Sequence, residues 1–303
     1  MLKRKIYISI FIVLTVKLLT GCGGCEGEVV NDTGMVDSSK LAKFEAGTVI
    51  KFNGRLFSIP SPIEIADLIR KADISYNKDL LNPISNNANY TTSLKQALNL
   101  GVYGADLTYI NIYEEFSDGI KYFNTVKYLS NDLNILNSFT EKLLKEIEEN
   151  KMNKDSMLMI ISKAFKNADK YLVDNERNDI AVLVLAGSWV ESMYLISQSV
   201  KEKQNQKLID RIGDQKHPLD NLIELLKPYY NHKSERFDKL LDELIDLAYV
   251  FDGVDIKYTY NKPKTIASKK LTIIRSKSQT IVNENQLKTI TDKIEIIRKK
   301  IIE

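Results

Sequence analysis

Ile180-Ala181-Val182-Leu183-Val184-Leu185-Ala186 is seven apolar residues without a break, and the run continues through Gly187, Trp189, Val190, Met193, Tyr194, Leu195 and Ile196. A stretch of about 20 such residues is too long for a strand, and apolar side chains on every side demand a helix with other helices around it. This segment is the expected centre of the core. The rest of the chain is read by how it surrounds that helix.

Upstream, Leu94, Ala97, Leu98, Val102, Ala105, Tyr109, Ile112 and Phe116 recur at steps of three and four, which places them on one helical face. Gly101 and Gly104 interrupt the stripe. Each costs a helix about 1 kcal/mol relative to alanine, so the pair marks either a break or a close helix crossing that needs small residues. Further helices are expected through Ile120 to Leu136, around Phe139 to Ile147 and from Met157 to Leu172, joined at Asp118-Gly119 and at residues 150–155. Downstream come two amphipathic helices, one with Leu219, Leu222, Ile223 and Leu226, the other with Phe237, Leu240, Leu241, Leu244, Ile245 and Ala248. His217-Pro218 and residues 228–234 mark the breaks. Asn283 caps a last helix with Gln286 at the reciprocal position, and its seam of Leu287, Ile290, Ile294, Ile297 and Ile301 is too short for a coiled coil, so it is expected to dock on the parent domain.

Strand signals flank this helical body. Thr48 to Phe52 and Arg55 to Ile59 enclose Asn53-Gly54, the strongest short-range hairpin signal because a type I′ turn needs positive φ. Pro60-Ser61-Pro62 then leads into a helix ending near Lys71, with Pro62 at its start. Residues 77–92, rich in Asn, read as a long loop, which is either functional or disordered. After Phe251-Asp252-Gly253, residues 255–260, 271–274 and 280–282 are β-rich. Those strands are expected to extend the hairpin at 48–59 and tie the two ends together. The fold class is therefore mainly α: a multi-helix bundle or helical-hairpin array with a small β element formed by the N-terminal hairpin and the C-terminal strands. Within a single domain over 46–303, helices are expected over about 62–250, strands over about 254–282 and a C-terminal helix over 284–302.

The N-terminus has another purpose. Met1-Leu2-Lys3-Arg4-Lys5 is cationic, Ile6 to Val16 is an apolar run of 11 residues, and small residues follow. That is the build of a secretory signal, and the run is well short of the roughly 20 residues of a membrane-spanning helix. Leu19-Thr20-Gly21-Cys22 resembles the bacterial lipobox, with Lys17 unusually late in the apolar region. The resemblance implies cleavage between Gly21 and Cys22, a diacylglycerol thioether on Cys22, and acylation of the new amino group by a chain such as palmitate. Residues 1–21 are then signal peptide and 22–45 a small, polar tether, too poor in apolar side chains to repay the entropy of ordering. The resemblance also bears on location. Gly23 stands where inner-membrane lipoproteins carry Asp, which points to the outer membrane, and Glu26 and Glu28 are similar to the acidic patch of surface-exported lipoproteins, although a plain solvated linker reads the same.

Cleavage changes the composition. Four bases and no acid leave with residues 1–21, so the net charge falls from +3 to −1. A nucleic-acid partner, which calls for clustered excess Lys and Arg, is poorly motivated. The charge that remains is uneven: residues 262–303 hold 11 bases against 4 acids, and residues 22–261 hold 28 against 36. Such asymmetry can aim one end at an anionic partner, or it can be bases spread over exposed faces. With Cys22 acylated, Cys25 is the single remaining cysteine, so no intramolecular disulfide forms and Cys25 is expected as a free thiol.

Catalytic signals are sparse. No Gly-x-Ser-x-Gly elbow, spaced His ligand set or phosphate loop is present, so neither a metal nor a cofactor is expected. Asp106 and Glu191 are the carboxylates to weigh: Asp106 borders an apolar stripe, and Glu191 shares a polar stripe with Ser188 and Ser192. Burial would raise their pKa values and make an acid and base pair, or tyrosine hydroxyls would satisfy them in a core network. Tyr103, Tyr109 and Tyr113, with Tyr122 and Tyr128, would line a recognition cleft or pack in the core.

Residues 59–64 (IPSPIE), 100–107 (LGVYGADL) and 185–192 (LAGSWVES) resemble segments of uncharacterised lipoproteins from Bacteroidota. That resemblance implies an envelope location and no defined chemistry. The expected function is a non-enzymatic binding or scaffold lipoprotein, anchored in the membrane through Cys22 and holding a protein partner in the cell envelope. The alternatives are an envelope hydrolase using Asp106 and Glu191, and a glycan or peptide binder with a tyrosine-lined groove.

Overall fold

The computed structural model describes residues 49–52, 55–136, 141–150, 153–269 and 271–303. Gly21, Cys22, Cys25, the tether and the Asn53-Gly54 turn lie outside the described residues.

The protein is mainly helical. The apolar run at 180–196 lies within α6, Asn178–Glu202, a 25-residue helix. By length and composition α6 is able to cross a membrane, yet 72% of its most apolar window is buried inside the fold. Its main neighbour is α2, Ser93–Ile112, which Thr92 caps by accepting a hydrogen bond from the Lys95 amide at 3.3 Å. The glycines mark a crossing and break neither helix. A Cβ on Gly101 would lie 2.0 Å from the Val184 carbonyl oxygen, and one on Gly187 would lie 1.9 Å from that of Leu98. Two backbones thus lie directly against each other, which only glycine permits.

Around this pair pack α1, Pro62–Lys71; α3, Phe116–Asp132; and a helix at Lys154–Asp174, α5, on which α4, Glu141–Asn150, packs in turn. Ser61 caps α1 with Pro62 in its first turn, and Asn153 caps α5. After α6 come α7, Gln206–Gly213, which the sequence did not signal; α8, Lys216–Leu226; and α9, Glu235–Asp252. The last helix, α10, Glu284–Ile302, begins with the expected capping box, both bonds at 2.9 Å. Its Ile290, Ile294, Ile297 and Ile301 are buried against α6, α9 and α2, so the seam docks on its own domain.

The β strands correct one expectation. β1, Val49–Phe52, pairs antiparallel with β2, Arg55–Ser58, and, among the described residues, with no C-terminal strand. Instead β3, Asp255–Thr259, pairs with β6, Lys277–Ile281, while β4, Lys264–Ile266, pairs with β5, Leu271–Ile273. The two ladders nest, so residues 255–281 make one long hairpin arm whose residues are almost all exposed. Its root is held to the body: Thr280 bonds the Asp214 carboxylate and packs against Gly213. The end of α10 is held instead by α2 and the segment before it, through Asn99 Nδ2 to the Ile301 carbonyl at 2.9 Å and the Tyr90 hydroxyl to that of Ile302 at 3.1 Å. A local ladder closes over a short loop, whereas joining 48–59 to 255–281 requires a long closure, so the local pairing forms.

Candidate functional site

Asp106 on α2 and Glu191 on α6 converge beside the glycine crossing, and both are 0% exposed. The third member of the cluster, Arg298 on α10, holds Glu191 in a bidentate pair: Nε to Oε2 at 2.9 Å and Nη2 to Oε1 at 3.0 Å. The same Nη2 donates to the Leu80 carbonyl at 2.9 Å, and the guanidinium lies 4.2 Å from the centre of the Tyr194 ring. Burial works against the charge on Arg298, but the Glu191 carboxylate outweighs it and holds the guanidinium protonated.

Asp106 is placed differently. Its Oδ2 accepts from the Asn82 amide at 3.0 Å, and its Oδ1 has no donor among the described residues. Burial raises its pKa well above the ordinary carboxylate value, and the negative charge of Glu191 adds to this, against Arg298 and the Asn82 amide. The protonated form also gains a hydrogen bond with Glu191. Arg298 and Glu191 offset each other's charge, and the raised Asp106 pKa favours the neutral acid beside them, the arrangement a dry interior favours.

A polar shell surrounds the three. Asn82 donates through Nδ2 to the Tyr90 hydroxyl at 3.0 Å and to Asn99 Oδ1 at 3.2 Å, and its carbonyl accepts from Tyr122 at 3.0 Å. Tyr103 donates to the Pro83 carbonyl at 2.9 Å. Residues 77–92, expected as a long loop, are therefore pinned into the core by 3₁₀ turns at Lys78–Leu80 and Ile84–Asn89 and by these bonds. Tyr103 and Tyr109 are buried, and burial raises the pKa of both hydroxyls. Tyr113 is half-buried, donates to the Ile74 carbonyl at 2.7 Å, and its ring lies 4.8 Å from that of Tyr109. These tyrosines pack against one another and do not form the wall of an open groove. Tyr128, by contrast, is exposed on α3.

The sequence pointed to Asp106 and Glu191 but not to their partners. Arg298 stands four residues after Ile294 on the buried face of α10, and that spacing was the available signal. Asn82 lay in a segment with no periodicity to read. The cluster joins α2, α6, α10 and residues 80–90, but none of its three ionisable groups lines the cavity described next.

The cavity lies elsewhere, on the other side of α2. About 270 Å³ in volume, it is enclosed by α2, α3, α5, α6 and the entry to α1, with Leu100, Leu107, Val126, Ile161, Phe165 and Trp189 among its apolar walls. Among the described residues, no group of three or more His, Cys, Asp or Glu is placed to hold a metal ion. The chain matches no protein-family model, no curated protein and no solved structure.

Proposed function

We propose that this chain is a lipid-anchored outer-membrane lipoprotein that acts as a non-enzymatic binding or scaffold protein in the cell envelope, held at the membrane through Cys22 and carrying a protein partner. The observation that carries the reading is the arm at 255–281. An isolated two-stranded hairpin is marginal on its own. This one leaves strand edges unpaired and exposes Ile256, Tyr258, Tyr260 and Ile274, the last at 80%. Seven bases stand against one acid along it. Exposed edges, aromatic side chains and one sign of charge are what an extended segment of another protein pairs with. The lipobox supplies the anchor, and the sealed carboxylates give the body no open acid and base pair.

The test is site-specific photo-crosslinking in cells, with the crosslinker at Tyr258 or Ile274 on the arm and at the exposed Tyr128 on α3 as the control. The reading expects a discrete adduct from the arm positions alone, lost when Cys22→Ala releases the protein from the membrane fraction. Equal labelling from all three positions, or none from the arm, refutes it.

The convergence of Asp106 and Glu191 favours a second reading, an envelope hydrolase. It requires the core around the pair to open to substrate. A hydrolytic activity of the purified chain abolished by Asp106→Asn, with the fold retained, would establish it.

A further inference from the structure

We propose that the cavity between α2, α3, α5 and α6 is a binding site for a single aliphatic chain headed by a carboxylate, with Lys166 taking the head at the mouth. The proposal does not depend on how the chain is anchored or on what the arm binds.

The walls decide the body of the ligand. Side chains from seven helices and from the segment before α1 face a volume of about 270 Å³, and most of them are apolar. A cavity of roughly 150 Å³ is enough to hold benzene, so by proportion this one takes a body of about ten carbon atoms. Phe165, whose ring lies over Gly104, blocks the close approach of α5 to α2 that would fill the space. Gly104 would drive a Cβ to 2.2 Å from that ring, so the wall at this point depends on a glycine on one side and an aromatic on the other.

The polar groups of the lining set the orientation. Ser130, 0% exposed, belongs to the lining, and its Oγ has no hydrogen-bond partner among the described residues. A buried hydroxyl without a partner is uncommon enough to call for one. At the open side, Ser162, Lys166, Asp169 and Val173 follow one another along α5 at helical steps, with Lys166, Asp169 and Val173 exposed. Asp169 borders the same side, and desolvation by the surrounding protein raises its pKa. Lys166 is the cation of the lining and forms no ion pair among the described residues. An apolar interior with a cation at its mouth is the chemistry of an alkyl carboxylate.

Trp189 provides the assay. It is the single tryptophan of the chain, it is buried, and it lines the cavity, its Nε1 donating to Gln215 Oε1 at 3.1 Å. The full chain carrying Cys22→Ala, free of detergent, is titrated with a terminally brominated decanoate below its micellar concentration while Trp189 fluorescence is followed. The proposal expects saturable quenching, reversed by plain decanoate. Shortening the competitor weakens it about fourfold per methylene removed. Ala168→Phe, which fills the cavity, abolishes the quenching. Lys166→Glu, at an exposed position that does not threaten folding, weakens decanoate at least tenfold and leaves 1-decanol unchanged. Quenching that never saturates overturns the proposal, as does quenching unaffected by both substitutions. If Ala168→Phe fails to fold, the Lys166→Glu comparison decides alone: equal loss, or no loss, for acid and alcohol refutes the assignment of the head.

Discussion

Replacing Asp106 by asparagine should stabilise this protein at neutral pH, although it removes a buried, hydrogen-bonded side chain. Asp106 is wholly buried beside Glu191, and its pKa stands well above the ordinary value of 3.8. Below that value folded and unfolded chains both carry the proton, and Asp106 contributes nothing to the pH dependence. As the pH rises past it, the unfolded chain releases the proton while the folded protein keeps it. The folded state then binds more protons, so stability falls with pH by about 1.4 kcal/mol per unit until the folded-state pKa is reached. That slope is large against a total stability of about 5–15 kcal/mol for a folded protein. Asparagine has the shape of the protonated acid: its carbonyl accepts from the Asn82 amide, and its amide donates toward Glu191, with no proton to lose. Urea unfolding of the wild type and Asp106→Asn at intervals from pH 4 to pH 8 isolates the effect, because every other titrating group is common to both. The gap in favour of the variant should be near zero or negative at pH 4 and widen by up to about 1.4 kcal/mol per unit above it. A constant gap across that range means that Asp106 is ionised in the folded protein, and the reasoning fails.

Arg298→Met should cost about 3–5 kcal/mol, because it leaves the Glu191 carboxylate buried without its cation. The double substitution Glu191→Gln with Arg298→Met should recover part of that loss in a denaturant cycle, and additive losses would refute the pairing. Gly187→Ala should lower the melting temperature despite alanine's better helix propensity of about 1 kcal/mol, since the added carbon meets the Leu98 carbonyl and the overpacking costs about 1–3 kcal/mol or more; a rise would show that the helices separate easily. Brief trypsin digestion followed by mass spectrometry should cut first after Lys264, Arg275 and Lys277 in the arm, leaving the helical body whole, and early cleavage within α2 or α6 would contradict the burial of that pair.

Periodicity carried most of the fold. The stripes on α2 and α10, Pro62 at the start of α1 and the cap at Asn283 are local patterns, so a single sequence displays them. The seven apolar residues at 180–186 placed the core helix. Helix α7 escaped notice because its eight residues hold few apolar positions and lie between stronger signals. The pairing of the C-terminal strands was misread, since alternation shows that a strand forms but not which strand it joins.

The candidate site was legible only in half. Asp106 and Glu191 stand out as lone carboxylates on apolar helices, while Arg298, more than 100 residues further on, looks like one of many bases near the C-terminus. The cavity had no sequence signal, because its walls are ordinary core residues that happen not to fill the space between them. Tyrosines that could have lined a groove or a core were assigned to the core by contacts alone.

The sequence by itself determined that the protein is mainly helical, that one apolar helix is its centre and that Leu19-Thr20-Gly21-Cys22 resembles a lipobox, because these depend on residues close together in the chain. Only the tertiary structure decided that two glycines press α2 against α6, that Arg298 pairs with Glu191 while burial raises the Asp106 pKa, that the C-terminal strands form a separate arm and that an apolar cavity remains. Those depend on distances between residues remote in sequence, and a pattern of residue types contains no distances.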